Sequence, residues 1–138
     1  MVELQGHDEV IRGAKLSPRY QKYFDKCNRY YFEGRLPKEL KVYVAPLLKV
    51  TQLSQASAKD SANWKHAGNY ALAGYDENGD PCIILDKGTS IFHSILTKQS
   101  ILHESIHFYI GLDIQTHGVQ FKAQVRRIAS LGALDDLI

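Results

Sequence analysis

The sequence predicts an α+β fold, a small sheet packed with helices, and three observations carry that expectation. Aromatic residues recur at helical spacing near the N-terminus, two short apolar runs flank a turn-rich segment in the middle, and two further helical periods fill the C-terminal part. A chain of 138 residues is close to the commonest domain size and can bury a core without disulfides or a structural metal. No repeat, low-complexity tract or interdomain linker interrupts it, so one domain over residues 1–138 is expected.

The elements follow in order. In "LSPRYQKYFDKCNRYYFEGRLP", Ser17 suits an N-cap and Pro18 the first helical position. Tyr20, Tyr23, Phe24, Cys27, Tyr30 and Tyr31 then recur every three or four residues, the stripe of an amphipathic helix that turns its aromatic face to a core. Gly34 suits the helix end, and Pro37 stops continuation. "LKVYVAP" reads as a strand. "NYALAGY" and "CIILD" read as a strand pair, because "DENGDP" between them is dense in turn formers. Residues 51–67, "TQLSQASAKDSANWKHA", show no period and read as loop. A second helix is expected from about Phe92 to Ile110, ended by Gly111, and a third over "HGVQFKAQVRRIASLG", ended by Gly132.

Composition narrows the function classes. The chain is 44% apolar and 23% charged, with no apolar run long enough to cross a bilayer, so no membrane partner is expected. "MVELQGHDEVIRG" places acidic residues where a signal peptide needs a basic start and an apolar stretch, which predicts an intracellular, cytoplasmic protein. Cys27 and Cys82 lack C-x-x-C spacing and are expected as small buried side chains rather than a disulfide or a cysteine zinc site. Residues 1–60 hold eleven Lys or Arg against seven Asp or Glu, a balance of +4; residues 61–138 hold six against eight, a balance of −2. The basic front half suits an anionic partner such as nucleic acid. Its interspersed charges suit a solvated helix face better.

The second helix contains H-E-S-I-H. Residues four apart lie one turn apart on one helix face, so His103 and His107 can offer their imidazoles to one metal ion, with Glu104 on the adjoining face. That is the arrangement a zinc peptidase needs: two neutral imidazoles hold Zn²⁺, and a carboxylate that is not a ligand handles the proton of the water that attacks the peptide carbonyl. Glu104 would serve first as general base and then as general acid to the leaving amine. Two free positions make the five-residue pattern weak alone. Ile95, Leu96, Ile101, Leu102, Ile106 and Phe108 surround it and predict a helix buried over much of its surface, where two histidines and a glutamate need partners.

Catalytic zinc takes three protein ligands and keeps one position open. A downstream glutamate is closed as the third, since Glu104 is the last glutamate in the chain. The metzincin spacing would use Asp113, but Ile110 stands where that pattern needs the glycine of a sharp turn. His117 is the choice. It lies ten residues after His107 at the start of the third helix, and a short loop over 111–116 would fold that helix's first turn back over the metal.

"HESIH", nine intervening residues and "HGVQF" together resemble the catalytic core of the SprT-like, or Spartan, family. "FDKCNRYYFEGRLPKELKVYVAP", with Asn28, Phe32 and the Gly34-Arg35-Leu36 corner, is similar to that family's opening helix and strand. "AGNYALAGY" leading into "CIILDKGTSIF" is similar to its sheet hairpin, so residues 20–128 carry the resemblance. What it implies is a minimal zincin-type metallopeptidase domain with a small mixed or antiparallel sheet. His103, His107 and His117 would bind Zn²⁺, and Glu104 would be the catalytic carboxylate. It also implies protein substrates, among them proteins crosslinked to DNA, and a DNA partner, single-stranded or damaged. Longer members carry a C-terminal zinc ribbon, which two separated cysteines cannot build, so any DNA contact would come from the core surface. Trp64, Lys65 and His66 form an aromatic and basic cluster that could stack on and neutralise a single strand; Trp64 packing against the sheet is the competing reading.

Weaker readings complete the set. His7 is expected in solvent, and His93 as a cap or surface residue at the start of the second helix. Asp86, Asp113 and Gln115 are candidates to hydrogen-bond the outer nitrogen of a liganding histidine. Tyr109 and the other tyrosines are candidates to stabilise an oxyanion, with none singled out. Two functional classes stand: a zinc-dependent endopeptidase, and a catalytically silent zinc-stabilised binding or adaptor module acting on DNA or in an assembly. Glu104 favours the first, since a structural zinc site has four protein ligands and no use for that carboxylate.

Overall fold

A computed structural model describes residues 14–47, 71–76, 78–112 and 117–137. The loop expected over 51–67, the cluster of Trp64, Lys65 and His66, and His7, Asp113 and Gln115 lie outside the described residues. The fold is α+β. Strand β1 is Lys15–Leu16, helix α1 is Pro18–Tyr31, and strands β2, β3 and β4 are Lys41–Ala45, Ala71–Tyr75 and Pro81–Asp86. Helices α2 (Lys87–Phe92), α3 (Ser94–Ile110) and α4 (Val119–Ser130) follow, then a 3₁₀ turn at Asp135–Leu137. Among the described residues no helix is long and apolar enough to cross a membrane.

The helix-forming signals act as their chemistry dictates. Ser17 takes an extended N-cap conformation and its side chain accepts from Tyr20 N, with Pro18 opening α1. Tyr20, Tyr23, Phe24, Cys27 and Tyr31 are buried. Tyr30 is not: the expected stripe included it, but it is 58% exposed, because Tyr30 and Tyr31 are one residue apart and only one can face the core. Asn28 is buried beside the stripe, and its amide clamps the following corner. Asn28 Oδ1 accepts from Leu36 N at 3.0 Å, and Nδ2 donates to Leu36 O at 3.3 Å. The chain turns there through Glu33 and Gly34, both at positive φ (55° and 71°), a conformation that glycine adopts freely.

The sheet runs in the order β1-β2-β4-β3 and is mixed: β2 and β4 are parallel, and the other two pairings are antiparallel. In the β3–β4 turn Asp76 Oδ1 accepts from Asn78 N and Asp80 N, the side-chain-to-backbone bonding that makes aspartate a turn former. Central β4 is buried along its whole length, and its residues alternate between two cores. Ile83 and Leu85 join Val42, Phe24, Cys27, Ile101 and Ile106 on the helical face. Cys82 and Ile84 join Ala45, Leu47 and Leu72 on the other.

The region after β4 holds a short helix that was not expected: α2 ends at Phe92, His93 takes φ and ψ of −134° and 75° that are not helical, and α3 runs from Ser94 to Ile110, close to the expected second helix. Asp86 N-caps α2, its Oδ2 accepting from Thr89 N and Thr89 Oγ1 at 3.0 and 2.8 Å. His93 is exposed at the junction and makes no side-chain cap bond to α3. Ile95, expected in the buried set, is 48% exposed, whereas Ile101, Leu102 and Ile106 are buried. The third helix is also shorter than expected: Gly118 is its N-cap and His117 precedes it.

Candidate metal centre

Helix α3 packs on β3 and β4 and also on α1 and α4, so residues within two turns of its end are held from several sides. His103 and His107 sit there one turn apart. Gly111 ends the helix at φ 111°, and the chain re-enters the described structure at His117, just before α4. His107 is 5% exposed, His103 half-buried and His117 exposed, so the cluster is walled by protein on one side and open on the other.

The three imidazoles converge through the same atom. Nε2 of His107 lies 3.2 Å from Nε2 of His103 and 3.2 Å from that of His117, and the third side of the triangle is 3.1 Å. The ring centroids are farther apart, at 4.7–5.1 Å, so all three rings aim inward. Hydrogen bonding among them does not account for this shape. Each N···N contact needs one donor and one acceptor, and three mutually touching nitrogens cannot be divided so that every pair has one of each. A cation at the shared focus meets three lone pairs at once. A tetrahedral centre with metal–nitrogen bonds of about 2.0–2.1 Å separates its ligand nitrogens by about 3.3 Å, close to the observed triangle, so the donor set and spacing fit a bound divalent metal. Among the described residues these three histidines are the side chains placed to hold a metal ion.

Comparison with protein-family models, with curated proteins and with solved structures finds no match.

Two neighbours complete the site. Glu104 is 4% exposed, and burial pushes its carboxyl up to about 8. A cation beside it would draw that value down again, since an opposite charge favours the ionised form. Phe121 is the residue whose role the sequence reading missed. Its ring centroid stands 5.0, 5.0 and 4.7 Å from those of His103, His107 and His117, so one buried side chain braces all three imidazoles. The signal was present in "HGVQF", where Phe121 lies in the first turn of the helix that begins just after His117. Of the other candidates, Asp86 caps α2. Tyr109 packs its ring against Phe32 at 5.4 Å and under the Arg127 guanidinium at 5.1 Å.

Proposed function

We propose that the chain is a zinc-dependent endopeptidase with a minimal zincin-type site, in which His103, His107 and His117 hold the metal and Glu104 is the catalytic carboxylate. The single observation that supports it most is the inward triangle of three Nε2 atoms beside a buried glutamate on the same helix. Zinc supplies Lewis acidity, acidifying water and polarising the scissile carbonyl. The chain's own residues do the rest. Burial deprives Glu104 of water, which raises the basicity of its carboxylate, so it takes the proton of the attacking water and returns it to the departing amine nitrogen. His117, on the exposed side, leaves room for an extended protein segment to approach. The substrates are protein segments, including proteins held on DNA, as the SprT-like resemblance implies.

The competing reading is a zinc-stabilised binding module without hydrolysis, and the near-complete burial of Glu104 is the observation in its favour. Metal content and proteolysis separate the two. Purified wild type is expected to carry about one zinc per chain by mass spectrometry, His117→Ala to lose it, and Glu104→Gln to keep it while casein cleavage falls about 10²- to 10⁴-fold. A Glu104→Gln variant as active as wild type would overturn the peptidase reading. Zinc retained in His117→Ala would overturn the ligand set.

A further inference from the structure

α1 turns its aromatic stripe inward and its charges outward. Arg19, Lys22, Lys26 and Arg29 follow at intervals of three, four and three residues, one row about 15 Å long at 1.5 Å per residue. With Lys98 of α3 they line an open cleft of about 620 Å³. Asp136, in the C-terminal turn, shows how this helix takes an acid. Its Oδ2 accepts from the Lys26 ammonium at 3.2 Å and from the Tyr31 hydroxyl, and Leu137 beside it is buried in the main core. A carboxylate held by a cation and a tyrosine, next to an apolar side chain, is thus a combination that α1 already binds within its own chain. Cations and tyrosines pair again along the row. The Arg29 guanidinium lies 4.9 Å from the centroid of Tyr30, whose ring is 58% exposed, and that of Arg19 lies 5.1 Å from the centroid of Tyr20. Among the described residues Arg19, Lys22 and Arg29 form no ion pair.

Two features decide between anions. Asp25 is the one acid of the lining and sits beside the row, three residues after Lys22 and four before Arg29, where it accepts from Gln21 Nε2 at 3.2 Å. A polyphosphate carries a charge at every step and must set one against Asp25, whereas a peptide can place a neutral residue there. Tyr30 adds an exposed ring at the end of the row, which an apolar side chain covers and a bare anion does not. We propose that the α1–α3 cleft docks an acidic peptide segment of a partner protein, its carboxylates on Arg19, Lys22 and Arg29 and an aromatic side chain on Tyr30. In extended form about five residues span the row at ~3.3 Å each. Alternate side chains then fall on one face, ~6.6 Å apart, within reach of cations that rise about 4.5–6 Å from one to the next. Arginine answers a carboxylate with two parallel hydrogen bonds, which is why arginine clusters recognise acidic motifs. Lys98 lies about 140° and 180° around α3 from His103 and His107, so the segment docks on the opposite side of that helix from the imidazoles. Such docking needs neither metal nor hydrolysis and stands apart from the peptidase reading.

Fluorescence anisotropy on the full chain tests it, with a labelled probe of five aspartates flanked by phenylalanines, with and without chelator. Wild type is expected to bind the probe at low salt whether or not chelator is present, to release it at high salt, and to ignore a version with asparagine for aspartate. Lys22→Ala/Arg29→Ala, both exposed positions, should weaken binding about fivefold to thirtyfold. Tyr30→Ala should weaken it about fivefold. Glycine in place of the probe's phenylalanines should cost wild type a similar factor and Tyr30→Ala nothing further, the non-additivity of a direct contact. Circular dichroism melts confirm that each variant folds. The proposal is overturned by absent binding, by loss of binding on chelation, by a double variant that binds as wild type does, or by losses at Tyr30 and the probe's phenylalanines that simply add. Tighter binding of inorganic triphosphate, an oligothymidylate or phosphatidylserine vesicles than of the probe also overturns it, in favour of a phosphate ligand. Casein cleavage without probe binding would remove the docking site and leave the peptidase reading; probe binding without casein cleavage would do the reverse.

Discussion

Helices α1 and α3 are the two longest and pack against the same face of the sheet, yet they bury opposite kinds of residue. α1 buries five aromatic or sulfur side chains and one amide, Asn28, which is fully engaged by Leu36. α3 buries Thr97, Glu104, Ser105 and His107 beside only three apolar residues. Thr97 and Ser105 are satisfied locally, each hydroxyl donating to the carbonyl one turn earlier at 2.9 and 2.6 Å. The His107 imidazole instead meets those of His103 and His117, and Glu104 is buried on the same helix. In α1, burial reports packing. In α3, it also gathers polar groups beside the histidine triangle.

That contrast can be broken in graded steps. The largest expected effect is Phe24→Ala in α1, a loss of about 3–5 kcal/mol in urea unfolding, with metal affinity unchanged in the folded fraction. Phe121→Ala should cost a similar amount but also weaken metal binding, since its ring braces all three imidazoles; equal metal affinity in both variants would erase the distinction. Next comes metal removal. If free zinc stands at 100 times its dissociation constant, binding stabilises the fold by about 2.7 kcal/mol, so chelation should lower the melting temperature by roughly 10 °C in wild type and leave His107→Ala unmoved. Smaller still is Tyr30→Ala, expected within about 0.5 kcal/mol of wild type because its ring faces solvent. A loss of several kcal/mol would restore Tyr30 to the core.

The smallest effect concerns Asp136, which holds the C-terminal turn to α1. The Tyr31 hydroxyl and the Lys26 ammonium hold its carboxyl below the usual aspartate range. A depressed value in the folded state stabilises the fold above the unfolded pKa near 3.9, and the contribution is lost as pH falls through the folded value. Asp136→Asn should therefore melt slightly below wild type at pH 5, with the gap closing toward pH 2.5; a constant gap would assign the contact no electrostatic role.

Legibility in the sequence followed the range of the interaction. Ser17, Pro18 and the aromatic period made α1 readable because capping and amphipathicity are decided within one or two turns. The histidine triad was readable because spacings of four and ten constrain one helix and one short connection. The short helix α2 was not, since Lys87–Phe92 spans under two turns, too few to show a helical period. β1, two residues long, is too short to show an alternation. The parallel pairing of Lys41 with Cys82 joins residues far apart in the chain, and neither strand's own pattern reveals its partner.

Cys27 and Cys82, sealed in the two cores on opposite faces of the sheet, have a consequence for how the fold breathes. Burial pushes their thiols up to about 11 and about 12. Near pH 7 both stay in the thiol form rather than as thiolate, the form that reacts. Each thiol therefore becomes modifiable only when its own face of the sheet opens, and the two alkylation rates time the loosening of the helical layer and of the opposite layer as separate clocks.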